Sequence, residues 1–444
     1  MRHEAKKHIY SNGLTLIVDE APQLKSVAIG AWVKTGTRFE APELWGMCHF
    51  LEHMIFKGNE RRGATELSKA VDRVGGDFNA FTSREHTCFH FYLPYQEARL
   101  GATLLKEILF KPLFASKEIE RERQVVVQEI AMTKENPEED AFDRFFEKCF
   151  GKHPLGKNIL GSEESVRSLT RQKVMRFFHD QYRPENMVIA VSGNITFEKA
   201  KKDFAEVGKG HWPGRQDHRK LKPAWGANPP EGTHSGWWWV DQDSEQAHVI
   251  YGISSPLRSQ KDRLVSTMVQ QYLGGGMSSV LFDEIREKKG WAYTVYANAI
   301  QFLDAAVFTL YAGVKPERVL ETVRVFHQEL GKISREGIPS RELKRIKDSL
   351  IYSFELTLEH SESRMMAVST SELFFKKGIT FKAYCEAVRN IRASDTRELV
   401  AEWLRSSDPT ILVMSSKPKG REWMRKIRDE SKRITGHSVQ FESS

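Results

Sequence analysis

Short apolar runs alternate along the chain with longer stretches in which apolar residues recur every three or four positions. The runs that predict strands are, in order, TLIVDE, SVAIGAWVKTG, residues 78–82 and 87–93, MVIAVSG, HVIYGIS, residues 292–299 and 305–312, and ILVMSS. Hairpin-like strand pairs mixed with long helices are typical of α+β proteins. The pattern therefore predicts mostly antiparallel sheets with helices packed on one side.

The two halves of the chain resemble each other. The stretch SKEIER at Ser116–Arg121 recurs as SRELKR at Ser340–Arg345, an offset of 224 residues by subtraction. RPENMVIAVS from Arg183 is similar to SDPTILVMSS from Ser407. In each half, the two matching motifs occur within a similar order of predicted elements, which the second motif ends. We therefore predict two homologous domains that arose by an ancestral duplication.

A segment rich in Gly, Pro and charged residues separates the two halves. It reads GKGHWPGRQDHRKLKPAWGANPPEGTHSG and lacks apolar periodicity, as linkers do. The 444 residues of the chain are enough for two or more domains. We predict an N-terminal domain at residues 1–210, a linker at 211–236 and a C-terminal domain at 237–444.

The stretch HFLEHMIFKG places two histidines and a glutamate in an otherwise apolar helical segment. His49 and His53 are four residues apart and Glu52 is three from His49, so all three share one face of a helix. Polar groups on a buried helix need partners. Two imidazoles with a carboxylate between them form the HxxEH pattern of a zinc site, in which the glutamate is suited to act as general base. The alternative is a histidine-capped core helix without a metal.

A second acidic pair lies on the predicted helix ERERQVVVQEI. Glu122 and Glu129 are seven residues apart and lie on one face, beside the apolar Val125 and Val126. One carboxylate can complete the zinc ligands while the other accepts the free ring N–H of a ligand histidine; Glu122 also fits a solvated helix charge. At the offset of 224 residues Glu129 matches Ser353, and the second half has no HxxEH. The metal site is therefore predicted in the first half only.

HFLEH followed by E-x6-E resembles the inverzincin metallopeptidases of the pitrilysin family, which includes insulin-degrading enzyme and mitochondrial processing peptidase. The likeness runs from NGLTLIVDE to ILVMSS, and the chain resembles the short two-domain bacterial processing-protease-like members. It implies one zinc ion per chain, bound by His49, His53 and Glu129. It also implies that Glu52 activates water and that Glu122 supports a ligand histidine.

Two further motifs take their meaning from this resemblance. GGDFNAFTSREHT is similar to the family's edge strand beside the zinc, where Asn79, Ala80 and Phe81 would bind an extended peptide through main-chain hydrogen bonds. REKKGWAY contains Arg286 and Tyr293, and the family uses such a pair to grip substrate carbonyls, with the tyrosine near the developing oxyanion. Without the resemblance, the first motif is a plain hairpin strand and the second a surface arginine with a core tyrosine.

The resemblance implies a zinc metalloendopeptidase that hydrolyses peptide bonds in oligopeptides or unfolded segments. Long family members enclose a chamber with four homologous domains, whereas this sequence holds two. The expected assembly is a homodimer of clamshell-shaped chains, in which the zinc half of one chain meets the Arg286 and Tyr293 half of its partner. The alternatives are a non-catalytic scaffold and a hetero-oligomeric processing-peptidase subunit.

The overall composition limits the classes of protein to which the chain can belong. Hydrophobic residues make up 40% and charged residues 28% of the chain, as in globular proteins. The net charge is +8, but acidic residues are interspersed with basic ones outside the C-terminal KPKGREWMRKIRDESKR, so we expect no nucleic-acid partner. No apolar run reaches the length of a membrane span, MRHEAKKHIY lacks the apolar core of a secretory signal, and the four cysteines are scattered. We expect a cytoplasmic protein without a membrane partner.

Overall fold

The computed structural model describes residues 5–209, 228–257, 259–376, 380–416 and 421–443. The chain divides into two compact units, each built from three segments. Unit one comprises Met1–Ala131, Lys157–Ala227 and Tyr352–Tyr384, and unit two comprises Met132–Gly156, Asn228–Ile351 and Cys385–Ser444. Each unit therefore contains residues from both halves of the chain.

The described strands form one six-stranded sheet in each unit. In chain order they are β1 (Lys6–Ile9), β2 (Thr15–Glu20), β3 (Ser26–Val33), β4 (Asp77–Thr82), β5 (Thr87–Pro94), β6 (Met187–Gly193), β7 (Gly236–Asp241), β8 (Ala247–Ser254), β9 (Ala292–Gln301), β10 (Ala306–Val314), β11 (Thr410–Ser415) and β12 (Gln440–Ser443). The strand orders are β1-β2-β6-β3-β5-β4 and β12-β7-β11-β8-β10-β9. Both sheets are mixed, because β2 pairs with β6, and β7 with β11 and β12, in parallel, while the other pairs are antiparallel.

The α-helices of the described residues lie between these strands. In chain order they are α1 (Met47–Ile55), α2 (Ala64–Asp72), α3 (Ala98–Phe110), α4 (Ser116–Glu135), α5 (Pro137–Phe150), α6 (Glu163–Arg167), α7 (Arg171–Gln181), α8 (Phe197–Asp203), α9 (Ala205–Lys209), α10 (Gln260–Gly274), α11 (Val319–Glu336), α12 (Ser340–Thr357), α13 (Ser361–Phe375), α14 (Phe381–Asn390), α15 (Ala393–Ser406) and α16 (Arg421–Thr435). Residues Phe282–Glu287 form a π-helix. Within the described ranges, no helix combines the length and apolarity needed to cross a membrane.

The first sheet is buried on both faces, which explains why its central strands read as continuous apolar runs. Leu16 and Val18 of β2 point into the main core of unit one, which includes Phe50 of α1 and Leu104 of α3. Ile17, between them, points to the opposite face and belongs to a separate cluster. Alternation of side chains along the strand thus supplies apolar residues to two layers of packing.

The opposite face of the first sheet is covered by α13, which comes from the second half of the chain. Met365 of α13 packs in one apolar cluster with Trp32 of β3 and residues of β2, β5 and β6. Arg364 donates from Nε and Nη2 to the two carboxylate oxygens of Asp19 at 2.7 and 2.8 Å, and both side chains are buried. Ser192 of β6 donates to the same carboxylate. This ion pair anchors α13 to β2.

Unit two repeats this arrangement with the two halves exchanged. Helix α5, from the first half, packs on one face of the second sheet, where Phe145 lies in a cluster with Trp238 of β7. Helices α11 and α15 pack on the same sheet. Ile250 of β8 belongs to that cluster, and the next residue, Tyr251, has its side chain on the opposite face of the sheet. There Tyr251 contacts Phe326 of α11. Each sheet is therefore packed against helices from both halves.

The predicted fold class is confirmed as two homologous units, each with a mixed sheet and packed helices. Five strands match between the sheets, since β2, β6, β3, β5 and β4 occupy the same order as β7, β11, β8, β10 and β9. The related motifs SKEIER and SRELKR open equivalent helices, because α4 begins at Ser116 and α12 at Ser340. In each unit, one helix from the other half of the chain also packs on the sheet. The predicted arrangement did not include this helix.

The compact units do not coincide with linear halves of the chain. Residues 132–156 pack in unit two and residues 352–384 pack in unit one. Residues 210–227, which include most of the predicted linker, lie outside the described residues, and β7 begins at Gly236. The domain boundaries at 210 and 237 stay a prediction. An amphipathic pattern shows that a helix has a buried face, but it does not specify which sheet covers that face.

Candidate functional site

Helix α1 carries the HFLEH motif and is preceded by a left-handed residue, Gly46, whose φ is 89°. A Cβ atom at this position would lie 2.6 Å from the carbonyl oxygen of Leu160, so both the conformation and the space favour glycine. The buried carboxylate of Glu40 accepts hydrogen bonds from the backbone N–H groups of Gly46 and Cys48 at 2.8 and 2.6 Å. Two of the backbone donors at the start of α1 are thus satisfied, which fixes this end of the helix.

The structure brings His49, His53 and Glu129 together. Nε2 of His49 lies 3.5 Å from Oε1 of Glu129, and Nε2 of His53 lies 3.5 Å from Oε2 of the same carboxylate. The two imidazole rings are 4.7 Å apart between their centroids. One potential ligand atom of each residue lies within 4.8 Å of the others. Helix α4 therefore presents a carboxylate directly to the two histidines of α1.

These donors fit a zinc ion in chemistry and in spacing. Two imidazole nitrogens and one carboxylate are a donor set of catalytic zinc sites, which leave a further position open. Ligand atoms about 2.0–2.2 Å from a tetrahedral zinc ion lie roughly 3.3–3.5 Å from each other. Each of the two carboxylate oxygens of Glu129 lies at about that distance, 3.5 Å, from Nε2 of one histidine. The three residues thus have the chemistry and the proximity that a zinc ion requires, and their role as ligands stays a prediction.

Glu122 supports the second histidine, and Lys57 contacts the same carboxylate. Nδ1 of His53 lies 3.3 Å from Oε2 of Glu122, while Nζ of Lys57 lies 2.8 Å from Oε1. Burial raises the pKa of Glu122, but the hydrogen bonds from His53 and Lys57 outweigh this effect and lower that pKa. A buried carboxylate that stays ionised in this way can orient the ring of His53 and hold the proton on Nδ1.

The charges around the histidines also shift the pKa values of two predicted ligands. Burial lowers the pKa of His53, yet the hydrogen bond with Glu122 and the nearby charges of Glu129 and Glu52 raise it overall. The hydrogen bond with His49 lowers the pKa of Glu129, against a smaller opposing effect of burial. The cluster therefore concentrates negative charge beside two imidazoles, which is the electrostatic environment that a divalent cation requires.

Glu52 lies between the two histidines on α1 and is half-buried. Its Oε2 accepts a hydrogen bond of 2.5 Å from the hydroxyl of Thr82, the last residue of β4. The second carboxylate oxygen is not engaged by that hydroxyl. A carboxylate with one oxygen held and the other available is arranged to exchange a proton with a bound molecule.

A cavity of about 360 Å³ opens between α1, α2 and β4. Its lining includes Glu52 and His53, together with the apolar side chains of Phe56, Phe78 and Ala64. Strand β4 forms one wall and lies at the end of the first sheet, paired with β5 on one side. In the part of the chain that the structure describes, no strand pairs with the other edge of β4. The predicted peptide-binding residues 79–81 belong to this open strand.

Arg286 and Tyr293 lie in unit two and contact each other. Nη1 of Arg286 donates to the carbonyl oxygen of Tyr293 at 3.1 Å, and the guanidinium lies 4.9 Å from the centre of the tyrosine ring. The side chain of Tyr293 is 78% exposed, which is uncommon for so large an aromatic residue. The pair is thus preformed, with the phenol free to meet another molecule.

Three residues that contact this site were not predicted from the sequence. Lys57 follows His53 by four residues, so helical spacing could have indicated its contact with the acidic group beside that histidine. Glu40 lies in the loop before α1, where no regular period applies. Thr82 reaches Glu52 across 30 residues of sequence, and no local spacing indicates such a contact.

Comparisons with known proteins relate both halves of the chain to peptidases. The model of the insulinase family (peptidase family M16) matches residues 15–163, and the model of the peptidase M16 inactive domain matches residues 168–350. An uncharacterized zinc protease of Mycobacterium tuberculosis (strain ATCC 25618 / H37Rv) is 35% identical over 82% of this chain and 83% of its own. An uncharacterized zinc protease of Bacillus subtilis (strain 168) is 34% identical over 92% of this chain and 98% of its own.

Solved structures share the fold at lower sequence identity. A protease from Helicobacter pylori has a TM-score of 0.83 and 23% identity, and the match covers 94% of this chain and 100% of the other. A peptidase M16 inactive domain from Pseudomonas fluorescens has a TM-score of 0.82 and 17% identity, with 94% and 99% of the two chains covered. These matches extend over both units.

Proposed function

Because the chain belongs to peptidase family M16, the insulinase family, we propose that it is a zinc-dependent metalloendopeptidase acting on oligopeptides or unfolded segments. The observation that carries the proposal is the convergence of two imidazoles from α1 and a carboxylate from α4, with Glu52 beside them. The two relatives described as uncharacterized zinc proteases support such an activity. One metal centre per chain is expected, because the second half has no HxxEH.

His49, His53 and Glu129 would hold the zinc ion, and Glu122 would fix the ring of His53 through Nδ1. A zinc ion held by these residues would act as a Lewis acid on the scissile carbonyl and would lower the pKa of a water molecule. Glu52 takes the proton from the attacking water and delivers it to the leaving amine. Its place between two ligand histidines puts the carboxylate on the side of α1 where the reaction takes place.

The substrate is held as an extended peptide against β4. Asn79, Ala80 and Phe81 provide main-chain donors and acceptors at the open edge of the first sheet. The adjoining cavity, walled by Phe56 and Phe78, is large enough for one side chain of the peptide. Main-chain pairing gives affinity with little sequence preference, which suits a peptidase for unfolded segments.

Arg286 and Tyr293 supply the donors for the oxyanion. The phenol of Tyr293 is exposed and Arg286 restrains its backbone, so the pair is arranged to grip a substrate carbonyl from a separate element. We place the two groups of residues in one active site built across a homodimer, in which each chain provides the zinc half of one site and the tyrosine half of the other. The four cysteines, all in the described part of the chain, are buried and form no disulfide, which supports a reducing, cytoplasmic setting.

The first test compares wild type with Glu52→Gln for zinc content and for cleavage of a quenched-fluorescent peptide mixture. We expect about one zinc per chain in both proteins and a loss of activity of about 100- to 10,000-fold in the variant, because the general base is removed. Glu60→Gln changes an exposed glutamate that pairs only loosely with Lys111, at 3.5 Å, and should retain full activity.

Other results would contradict the proposal in distinct ways. A wild-type protein that binds zinc but cleaves no peptide would indicate a subunit that requires a different partner chain. A protein that binds no zinc would indicate a non-catalytic scaffold. Activity of Glu52→Gln equal to that of wild type would exclude the assigned base.

A further inference from the structure

Thr82 joins the strand assigned to peptide binding with the residue assigned as general base. Its Oγ1 donates to Oε2 of Glu52 at 2.5 Å, a short distance for a hydroxyl–carboxylate hydrogen bond. We propose that Thr82 is a positioning residue that fixes the Glu52 carboxylate for proton transfer and couples its orientation to strand β4. This inference rests on the proposed function, since it assigns a role relative to the base of that reaction.

The backbone delivers the Thr82 hydroxyl to this place. Along β4 the side chains alternate, so that Phe78, Ala80 and Thr82 are half-buried while the residues between them are exposed. Phe78 and Ala80 line the cavity beside α1, and Thr82 continues the same row toward Glu52. Thr82 is also paired with Thr87 of β5, which sets its position along the strand. The hydroxyl therefore lies on the face that meets α1.

The type of side chain adds to this restraint. Threonine is branched at Cβ, and its χ1 angle has fewer accessible rotamers than that of serine. A hydroxyl that donates to a carboxylate oxygen makes a charge-assisted hydrogen bond, which is shorter and stronger than one between neutral groups. With Oε2 held, the plane of the Glu52 carboxylate is restrained and Oε1 stays available for the proton in transfer. A freely rotating carboxylate would spend less time in that orientation.

The same strand holds the substrate in the proposed function. Residues 79–81 pair with the peptide, and Thr82 is the next residue along. A peptide that pairs with β4 extends the sheet and orders the strand, so that substrate and base are positioned by one rigid element. The restraint acts on the geometry of the reaction, while peptide affinity comes from the main chain. Loss of the hydroxyl should therefore change kcat more than KM.

The test uses the full-length, zinc-loaded protein and three substitutions. Thr82→Val keeps the shape and β-branching but removes the donor, whereas Thr82→Ser keeps the donor. We expect Thr82→Val to lower kcat by about 10- to 100-fold with KM within about twofold of wild type. Thr82→Ser should stay within about threefold of wild type in kcat. Thr82→Ala also removes the donor, without a larger side chain, and serves if the valine variant does not fold.

Zinc affinity, measured by competition with a chromogenic chelator, gives a readout that does not depend on turnover. Thr82→Val should bind zinc as wild type does, because Thr82 contacts the base and not a ligand. Glu122→Gln, which removes the carboxylate that supports His53, should weaken zinc binding by about 10- to 100-fold. The two variants thus separate support of the base from support of the metal.

The role of Thr82 is overturned if folded Thr82→Val or Thr82→Ala keeps the wild-type kcat while Glu52→Gln is inactive. An equal loss in the serine and valine variants, with a raised KM, would also overturn it, because such a result indicates damage to β4. Both of these results leave the proposed function standing. A zinc-loaded wild-type protein that cleaves no peptide would instead remove the proposed function itself.

Discussion

Glu40 is a buried carboxyl group at the start of the helix that carries the HFLEH motif. Burial raises its pKa to about 8, although the backbone N–H groups of Cys48 and Gly46 favour the ionised form. A carboxyl group whose pKa is higher in the folded than in the unfolded state retains protons on folding. In the pH range between the two pKa values, the folded state therefore binds more protons than the unfolded state. The free energy of unfolding must then decrease as pH rises.

The expected pH dependence is specific to this residue. The contribution of Glu40 is fully present below its unfolded-state value of 4.5 and is lost as pH rises through about 8. Glu40→Gln keeps a neutral side chain of similar shape at every pH. We expect its free energy of unfolding to fall less than that of wild type between about pH 5 and 8. Urea denaturation of the metal-free proteins measures this difference.

Comparison with an exposed carboxylate isolates the effect of burial. Glu60 has a largely exposed side chain, so Glu60→Gln should follow the wild-type pH dependence. If the free energy of unfolding changes equally with pH in Glu40→Gln and in wild type, Glu40 is not the group that causes the pH dependence.

At the scale of residues, the sequence was informative where spacing is local. His49 and His53 lie one helical turn apart, and the structure places Glu129 against both. Thr82 and Glu40 could not be predicted, because their partners lie across a sheet or a loop. Such contacts depend on how α1 packs against β4 and the preceding loop. The spacing of residues along the helix does not specify that packing.

Helix α13 illustrates how a single element depends on a buried charge pair. Arg364→Met would leave Asp19 buried with the hydroxyl of Ser192 as its remaining donor. We expect the free energy of unfolding to decrease by about 3–5 kcal/mol, because a buried charge that loses its partner keeps its desolvation cost. Chemical denaturation monitored by tryptophan fluorescence measures the change, since Trp32 lies in the cluster that α13 covers.

A double substitution distinguishes loss of a partner from loss of packing. Asp19→Leu combined with Arg364→Met removes both charges and should recover much of the stability lost in the single variant. Arg176→Met changes an exposed arginine and should have little effect. A double variant no more stable than the single one would show that the arginine acts mainly by filling space.

At the scale of elements, the apolar pattern located most strands closely. The predicted run TLIVDE forms β2, and the predicted run that starts at Ser26 forms β3. The pattern did not predict the packing of α13 on the first sheet or of α5 on the second. A helical apolar face is compatible with any apolar surface of suitable shape, so its partner is decided by the whole chain.

At the scale of the whole molecule, the proposed homodimer predicts that two inactive variants can complement each other. In a dimer of one Glu52→Gln chain with one Tyr293→Phe chain, one site carries both changes and the other carries neither. Random pairing of equal amounts gives half mixed dimers, so about a quarter of wild-type activity should return. Co-expression followed by an assay of kcat on the peptide mixture measures this recovery.

Pairing Glu52→Gln with His53→Ala provides the matched control. Both changes lie in the zinc half, so no site in the mixed dimer is intact and no activity should return. Failure of Glu52→Gln and Tyr293→Phe to restore activity, in dimers shown to be mixed, would contradict a site shared between chains.

The duplication was the feature of the whole molecule that the sequence predicted best. Matching motifs at a constant offset correspond to matching strand orders in the two sheets. The repeat did not predict the packing, because residues 132–156 and 352–384 pack with the other half of the chain. A sequence repeat reflects common ancestry, whereas packing depends on which surfaces of the folded chain contact each other.

The exchange of helices has a consequence for the origin of this chain. Helices α5 and α13 begin 224 residues apart (361 minus 137), which is the offset of the repeat, so they descend from one ancestral helix. Each now covers the sheet of the other half. A single ancestral copy would have left that sheet face bare unless a second molecule lent its helix. In such a pair the helices would be exchanged between two molecules, as in a domain-swapped dimer, whereas here the exchange takes place within one chain.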